Sequence, residues 1–156
     1  MKKILFWILL SGFLNTANAQ TEAVRKQHFN IDKYGLAIKG YDPVSYIVQK
    51  KAVEGDKKFS IVYMGVLYYF ESANNLSMFK KEPAKYEPAY GGWCAFAMGN
   101  TAEKVEIDPQ TFKIIDGKTY LFYNFYFNNT LKSWNKEEPK LHTKADTNWS
   151  KIINPK

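Results

Sequence analysis

Apolar residues with the spacing of strands lie along two stretches of the chain, and a turn signal interrupts each stretch. From Lys58 to Met64 the residues Phe59, Ile61 and Tyr63 recur with a period of two, and the apolar segment Val66–Phe70 follows Gly65. A period of two is that of a strand with one buried face, so the sequence predicts a β-hairpin. A second hairpin is predicted over residues 112–123, because Asp116-Gly117 favours a tight turn between strands.

Signals for the start of a helix lie between the predicted hairpins. Asp42-Pro43 combines an N-cap carboxylate with proline at the first helical position. It predicts a short helix that ends at about Val48. Ser72 is a second predicted N-cap, for a helix that reaches about Lys81.

The C-terminal third changes from strand to helix periodicity. Val105–Ile107 is predicted as a short strand, and Asp108-Pro109 as a second helix start. Beyond Asn124 the apolar spacing is helical, with Phe127 on the inner face, and Thr143 is the predicted N-cap of the last helix. Short antiparallel hairpins packed against short helices, with a helical C-terminus, predict a small single α+β domain. No internal repeat with a period of about 20 to 50 residues is evident.

The N-terminal segment, residues 1–19, has the order of a secretory signal peptide. Two lysines precede an apolar run from Ile4 to Leu10, and Ala17-Asn18-Ala19 supplies the small residues that signal peptidase reads. The run is shorter than the roughly 20 apolar residues that span a bilayer, so we expect no stable membrane insertion after cleavage. The predicted parts are a signal peptide (1–19), a polar lead-in (20–33), a domain (34–150) and a tail (151–156). The sequence therefore predicts an exported protein, periplasmic or extracellular.

Charge and cysteine content narrow the class of protein. Loss of the two lysines in the signal peptide would lower the formal net charge from +7 to about +5, and the other lysines are scattered. A nucleic-acid-binding surface concentrates its positive charge on one face, so we expect no nucleic-acid partner. Cys94 is the only cysteine, so the domain has no internal disulfide. Aromatic residues make up 17% of the chain and predict stability from a packed core.

Several short motifs, in this order along the chain, resemble the YHS domain family. Those of the YHS module itself are Asp42-Pro43-Val44, Tyr69-Phe70-Glu71-Ser72 and Glu82-Pro83-Ala84-Lys85-Tyr86. Those that resemble the exported branch of the family are Gly40-Tyr41-Asp42-Pro43-Val44-Ser45-Tyr46, Gly91-Gly92-Trp93-Cys94-Ala95 and Asp116-Gly117-Lys118. Together they cover roughly residues 34–149. The resemblance implies a small module that is associated with metals in many relatives.

The cysteines that the resemblance would lead one to expect are missing. Ser45, Glu71 and Asn75 stand at the three cysteine positions of the family. Soft metals such as copper(I) prefer thiolate and thioether ligands, so the family's metal site does not carry over directly. Cys94 lies elsewhere, in a motif of the exported branch.

Cys94 and Met98 are the candidate metal ligands. Four residues apart, they would place a thiolate beside a thioether if this stretch is helical, and such a pair suits copper(I). The structural alternative makes Cys94 a small buried hydrophobic residue and Met98 part of the core. A thiolate can also act as a nucleophile or a redox centre.

Four further residues are candidates for lining a ligand pocket: Asp42, Tyr46, Tyr90 and Trp93. Asp42 and Tyr46 are four residues apart on one predicted helix, so their side chains can meet. Ligand pockets combine aromatic walls with a few polar groups. Helix capping explains Asp42 equally well, and core packing explains the aromatic residues.

The two histidines, His28 and His142, lack the spacing of a metal motif, and His142 is predicted to lie in an exposed linker. A nucleophilic pair of Cys94 with His142 would need a third, orienting residue, and the sequence identifies none.

The predicted function is an exported binding module for a transition metal, with copper favoured, or for another small ligand near Cys94. One alternative is a redox or nucleophilic enzyme that uses the Cys94 thiol, and another is a structural interaction domain with an inert, buried cysteine. Catalysis is the less favoured class, because the chain has no phosphate-binding glycine loop, no Gly-x-Ser-x-Gly and no His-Glu-x-x-His.

Overall fold

The computed structural model describes the backbone of residues 14–154 and the side chains of residues 21–154. Its helices are α1 (Leu14–His28), α2 (Pro43–Val48), α3 (Ala73–Lys81), α4 (Pro83–Tyr86), α5 (Ala95–Asn100), α6 (Thr130–Trp134) and α7 (Glu138–Ile153). Its strands are β1 (Asp56–Tyr63), β2 (Val66–Phe70), β3 (Asp108–Ile115), β4 (Lys118–Phe122), β5 (Asn124–Phe125) and β6 (Asn128–Asn129). The predicted α+β class is therefore confirmed. Across the described helices, none combines the length and the apolar character needed to cross a membrane.

Both predicted hairpins are present as separate two-stranded antiparallel sheets. Their turn residues, Met64-Gly65 and Asp116-Gly117, all have positive φ angles, as the tight turns of hairpins require. On β1, Val62 is exposed while Ile61 and Tyr63 pack against the core, as the alternating pattern predicts.

The predicted helix start at Asp108-Pro109 is wrong, because β3 begins there. The Asp108 carboxylate accepts hydrogen bonds from the backbone N–H of Gln110 (3.0 Å) and the hydroxyl of Thr111 (2.8 Å). These bonds hold a local loop that shifts the register of β3 and lets it continue as a strand. The strand predicted over Val105–Ile107 is absent, since regular structure starts only at Asp108.

Two predictions near the C-terminus are also wrong. Phe127 is fully exposed at the tip of the small β5–β6 hairpin, not on the inner face of a helix. The last helix begins at Glu138, with Pro139 in its first turn, so Thr143 lies inside the helix. Proline is well tolerated in a first turn, and it marks this helix start better than the threonine does.

Helix α1 covers residues 20–28 of the predicted polar lead-in (20–33). Residues 1–13 of the predicted signal peptide lie outside the described residues. The side chain of Arg25, on the last turns of α1, forms a bidentate ion pair with Glu87, and its Nε donates to the Met64 carbonyl at 3.2 Å. The C-terminal part of α1 is therefore fastened to the rest of the fold.

The core consists of two clusters that meet at Phe96, which packs against both. The first lies between the β1–β2 hairpin and helices α2 and α3, and includes Tyr46, Phe70 and Phe79. The second joins β4 to α5, α6 and α7, and includes Trp134. Cys94 belongs to the first cluster and marks the start of α5.

Three buried tyrosines predict a loss of stability at alkaline pH. Burial raises the pKa of Tyr46, Tyr68 and Tyr90 above the ordinary value. In the unfolded chain these hydroxyls ionise near pH 10, so above that pH the unfolded state binds fewer protons than the folded state. These three tyrosines should leave stability unchanged below about pH 10, and each should then lower it by about 1.4 kcal/mol per pH unit.

This prediction is tested by following phenolate absorbance and circular dichroism along one alkaline titration. We expect part of the phenolate signal to appear only as the fold is lost. Ionisation of every tyrosine near pH 10 with an unchanged dichroism spectrum would contradict it.

Candidate functional site

Cys94 lies at the junction between a glycine-rich turn and α5, and its side chain is fully buried. Its backbone N–H donates to the carbonyl of Val105 at 3.0 Å. Its sulfur accepts a hydrogen bond from the backbone N–H of Tyr123 at 3.4 Å, and the hydroxyl of Thr130 lies 3.4 Å away. Three separate segments of the chain thus hold the thiol in place.

The hydrogen bonds around the sulfur fix where its proton lies. The Thr130 hydroxyl has one proton and donates it to the Tyr123 carbonyl at 2.9 Å. In that arrangement the Cys94 S–H donates to the Thr130 oxygen. When the thiol loses its proton, the Thr130 hydroxyl can rotate to donate to the sulfur instead. The site therefore offers two hydrogen-bond donors to a thiolate.

An open cavity of about 240 Å³ reaches Cys94 from the surface. Its inner wall includes Phe96, Val105 and Tyr123, which are partly buried, and exposed polar residues such as Glu103 and Asn128 lie at its outer part. Because Cys94 itself has no exposed surface, a ligand or a reagent reaches the sulfur only if a neighbouring side chain moves.

Met98 is not brought into this cavity. Pairing of the Cys94 and Met98 sulfur atoms required a helix here, and α5 does cover Ala95–Asn100. However, Met98 packs in the second core cluster and is absent from the cavity lining, whereas Cys94 packs in the first. The two sulfur-containing side chains therefore lie in different parts of the core.

Asp42 caps α2 and is fully buried. One carboxylate oxygen accepts from the N–H groups of Val44 (2.7 Å) and Ser45 (3.3 Å). The other accepts from the N–H of Glu71 (2.8 Å) and the side-chain amide of Asn75 (2.7 Å). The carboxylate thus accepts four hydrogen bonds from within the fold.

The other three candidate ligand residues also have their polar atoms engaged. Tyr46 donates to the carbonyl of Pro109 at 2.8 Å, and Tyr90 donates to Asp146 at 2.9 Å. The indole N–H of Trp93 donates to the carbonyl of His28 at 2.7 Å. None of these three residues, nor Asp42, is among those that line the Cys94 cavity.

The residues at the family's three cysteine positions meet in space. The Ser45 hydroxyl lies 3.5 Å from a carboxylate oxygen of Glu71 and accepts from the amide of Asn75 at 3.3 Å. This polar cluster contains no sulfur and is bonded internally and to Asp42. Within residues 21–154, no group of three or more His, Cys, Asp and Glu side chains is placed to hold a metal ion.

The two histidines contact residues outside the Cys94 cavity. His142 lies in α7, so the predicted linker is wrong, and its Nε2 is 2.8 Å from the hydroxyl of Tyr120. The Nδ1 of His28 is 3.0 Å from the ammonium group of Lys104. Burial, together with the Lys104 charge, lowers the pKa of His28. Neither histidine is a hydrogen-bond partner of Cys94, which leaves the thiol without the neighbouring base that a nucleophilic mechanism would use.

Sequence reasoning proposed Cys94 as a candidate but did not find the residues that surround its sulfur. Tyr123 and Thr130 lie 29 and 36 residues further along the chain. A tyrosine and a threonine carry no local signal of such a role, because their backbone and hydroxyl groups act only after the hairpin β3–β4 has folded against α5.

The geometry defines a small α+β module with one buried thiol at a cavity. Residues 44–90 match the family model of the YHS domain. The YHS family is associated with metal binding, so the match is consistent with a metal-binding module. No curated protein and no solved structure gives a significant match.

Proposed function

We propose that the protein is an exported binding module whose ligand occupies the cavity at Cys94, and that this ligand is a soft transition metal ion, with copper(I) the first choice. The observation that carries the proposal is the position of the only cysteine at the inner end of an open cavity. A thiolate is the protein ligand that copper(I) prefers. The order of charged, apolar and small residues at the N-terminus supports export.

The donor set around Cys94 supports a site with one protein thiolate. Thr130 and the Tyr123 N–H can donate to the ionised sulfur and hold it towards the cavity. Met98 remains a packing residue in this proposal, because it lies in the other core cluster. The remaining coordination positions are then open to a small exogenous ligand or to a donor from a partner protein.

The polar cluster of Ser45, Glu71 and Asn75 is the less favourable place for a soft metal. It has no sulfur donor, and its oxygen and nitrogen atoms are already hydrogen-bonded to one another. A thiol enzyme is also less favoured, since Cys94 has no histidine beside it.

Copper(I) affinity tests the proposal directly. We expect the protein comprising residues 20–156 to bind one copper(I) ion in competition with a colorimetric chelator. Cys94→Ser should lower the affinity at least about a hundredfold, about 2.7 kcal/mol, because it replaces the only thiolate with a hydroxyl. Met98→Leu is the matched control, since it removes a sulfur that lies outside the cavity, and it should leave the affinity unchanged.

Two results would contradict the proposal. Equal affinity of Cys94→Ser and the wild type would place the metal elsewhere. No binding by either, together with a thiol that reacts only on unfolding, would favour the structural alternative.

A further inference from the structure

The two large hairpins, β1–β2 and β3–β4, have the same pairing register. Each residue of the first hairpin corresponds to a residue of the second at a constant distance along the chain, the distance from Asp56 to Asp108, which we call the offset. Asp56 pairs with Phe70, and Asp108 pairs with Phe122. In both hairpins the next pair lies four residues further along the first strand and one residue back along the second. The two aspartates also accept a hydrogen bond from the N–H two residues ahead. The same irregularity thus occurs at the same place in both hairpins.

The same offset relates the segments that precede the hairpins. Helices α2 and α5 each have six residues. Their first residues, Pro43 and Ala95, are separated by this same offset. Each helix follows a left-handed turn, with φ angles of 52°, 52° and 85° at residues 38–40 and of 53°, 58° and 87° at residues 90–92. Three consecutive left-handed residues are rare in proteins, so their recurrence at this offset indicates that the two segments are equivalent.

The residues that cap these helices make equivalent backbone contacts. The N–H of Asp42 donates to the carbonyl of Val53 at 2.8 Å, and the N–H of Cys94 donates to the carbonyl of Val105 at 3.0 Å. The same offset separates the two donors from each other and the two acceptors from each other.

The side chains of the two caps also have equivalent partners. Asp42 accepts from the N–H of Glu71, and Cys94 accepts from the N–H of Tyr123, which is again displaced from Glu71 by the same offset. A residue at the start of the next helix completes each group: Asn75 in α3 contacts the Asp42 carboxylate, and Thr130 in α6 contacts the Cys94 sulfur.

We propose that residues 90–134 are a second, diverged copy of the YHS unit formed by residues 38–81, in which Cys94 holds the capping position of Asp42, and that this copy carries the ligand cavity. The family model ends at Tyr90, where the second copy begins. The small β5–β6 hairpin is an insertion in the second copy. Ser72 is the cap of α3, and the residue one offset further along the chain is Asn124. The actual cap of α6 is Asn129, at the far end of the β5–β6 hairpin, so the hairpin accounts for the difference.

The divergence of the two copies explains the cavity. In the first copy, Ser45 and Glu71 bond to each other across the space in front of the cap. Their counterparts in the second copy, Ala97 and Tyr123, both line the cavity. The statement about the ligand rests on the proposed function, whereas the statement about the second copy rests on the repeated geometry and needs no ligand.

A carboxylate placed at position 94 tests the second copy. A buried carboxylate without hydrogen-bond donors is strongly unfavourable. If position 94 is equivalent to position 42, however, Cys94→Asp should find the N–H groups of Phe96, Ala97 and Tyr123. We expect Cys94→Asp to unfold at a urea concentration no lower than Cys94→Ala does. Met98→Asp, at an equally buried position on the same helix, should lose most of the folded population.

The reciprocal variant covers the case in which the aspartate is too large for the site. Asp42→Cys should unfold at a higher urea concentration than Asp42→Ala, because a sulfur can accept from Glu71 as Cys94 does from Tyr123. The inference fails if Cys94→Asp is as unstable as Met98→Asp and Asp42→Cys is no better than Asp42→Ala. If the stabilities follow the prediction but copper(I) is not bound, the second copy stands and the metal function falls.

Discussion

Replacing Arg25 with alanine should lower the free energy of unfolding by about 3–5 kcal/mol, the range for removing one partner of a buried ion pair. The Arg25 and Glu87 side chains are both only 11% exposed. Glu87 also accepts from the hydroxyl of Tyr68 at 2.6 Å. The substitution leaves the Glu87 carboxylate buried with only the tyrosine as a side-chain hydrogen-bond donor. It also removes the guanidinium that lies 4.3 Å from the centre of the Phe29 ring.

Urea unfolding of Arg25→Ala beside Lys26→Ala measures this effect. Lys26 makes an ion pair with Glu22 that is mostly exposed, so its replacement should change stability by less than about 1 kcal/mol. An equally small effect of Arg25→Ala would show that α1 is not fastened to the domain. The expected loss of stability would show that residues 21–28 belong to the folded unit. This segment lies just after the predicted cleavage point at Ala19.

Replacing Asp42 with alanine should lower the free energy of unfolding by about 2–4 kcal/mol, the combined effect of a lost helix cap and of buried donors without a partner. The cap of α2 accounts for about 0.5–2 kcal/mol. The change also leaves the Glu71 N–H and the Asn75 amide without their acceptor, and a buried donor without a partner costs about 1–3 kcal/mol. Removal of a buried charge recovers part of its desolvation cost, which keeps the net effect below the sum of these losses.

Unfolding of Asp42→Ala is compared with that of Glu54→Ala, which removes an exposed carboxylate that accepts a long hydrogen bond of 3.4 Å from the Tyr41 hydroxyl. Glu54→Ala should leave the midpoint nearly unchanged. Asp42→Asn should fall between Asp42→Ala and the wild type, because one oxygen acceptor remains. If Asp42→Ala were as stable as Glu54→Ala, the hydrogen bonds of this carboxylate would be of no consequence for folding.

Local signals in the sequence predict two helix starts and a hairpin turn correctly. Asp42-Pro43 and Ser72 mark helix starts with side chains that bond to the helix itself, and Asp116-Gly117 supplies the positive φ angles of a tight turn. Each of these signals acts within a few residues and depends little on the rest of the chain.

The wrong predictions arise where one local signal allows two structures. An aspartate before a proline can cap a helix or hold a loop within a strand, and Asp108 does the second because Phe112 pairs with Leu121 in a hairpin. Helix-like spacing of apolar residues also failed at Phe127, where the chain turns back between β5 and β6. The hairpin partner, which decides both cases, lies outside the local sequence window.

The second copy is hard to recognise from the sequence because few residues are shared and because its period is longer than the roughly 20 to 50 residues typical of repeat proteins. The shared residues are Gly40 and Gly92, Val53 and Val105, Glu54 and Glu106, Asp56 and Asp108, Gly65 and Gly117, Tyr68 and Tyr120, and Phe70 and Phe122. Several of them fix backbone geometry, such as the glycines at turns. The backbone has therefore kept a pattern that the side chains have largely lost.

The position of copper in crystals of the metal-loaded protein tests the central claim most directly. Anomalous scattering at the copper absorption edge would locate the ion without reference to any variant. The account predicts one copper site in the cavity beside the Cys94 sulfur, within reach of Thr130 and away from Met98. A copper ion at His28 or His142, or at the polar cluster of Ser45, Glu71 and Asn75, would contradict it, as would protein that takes up no copper.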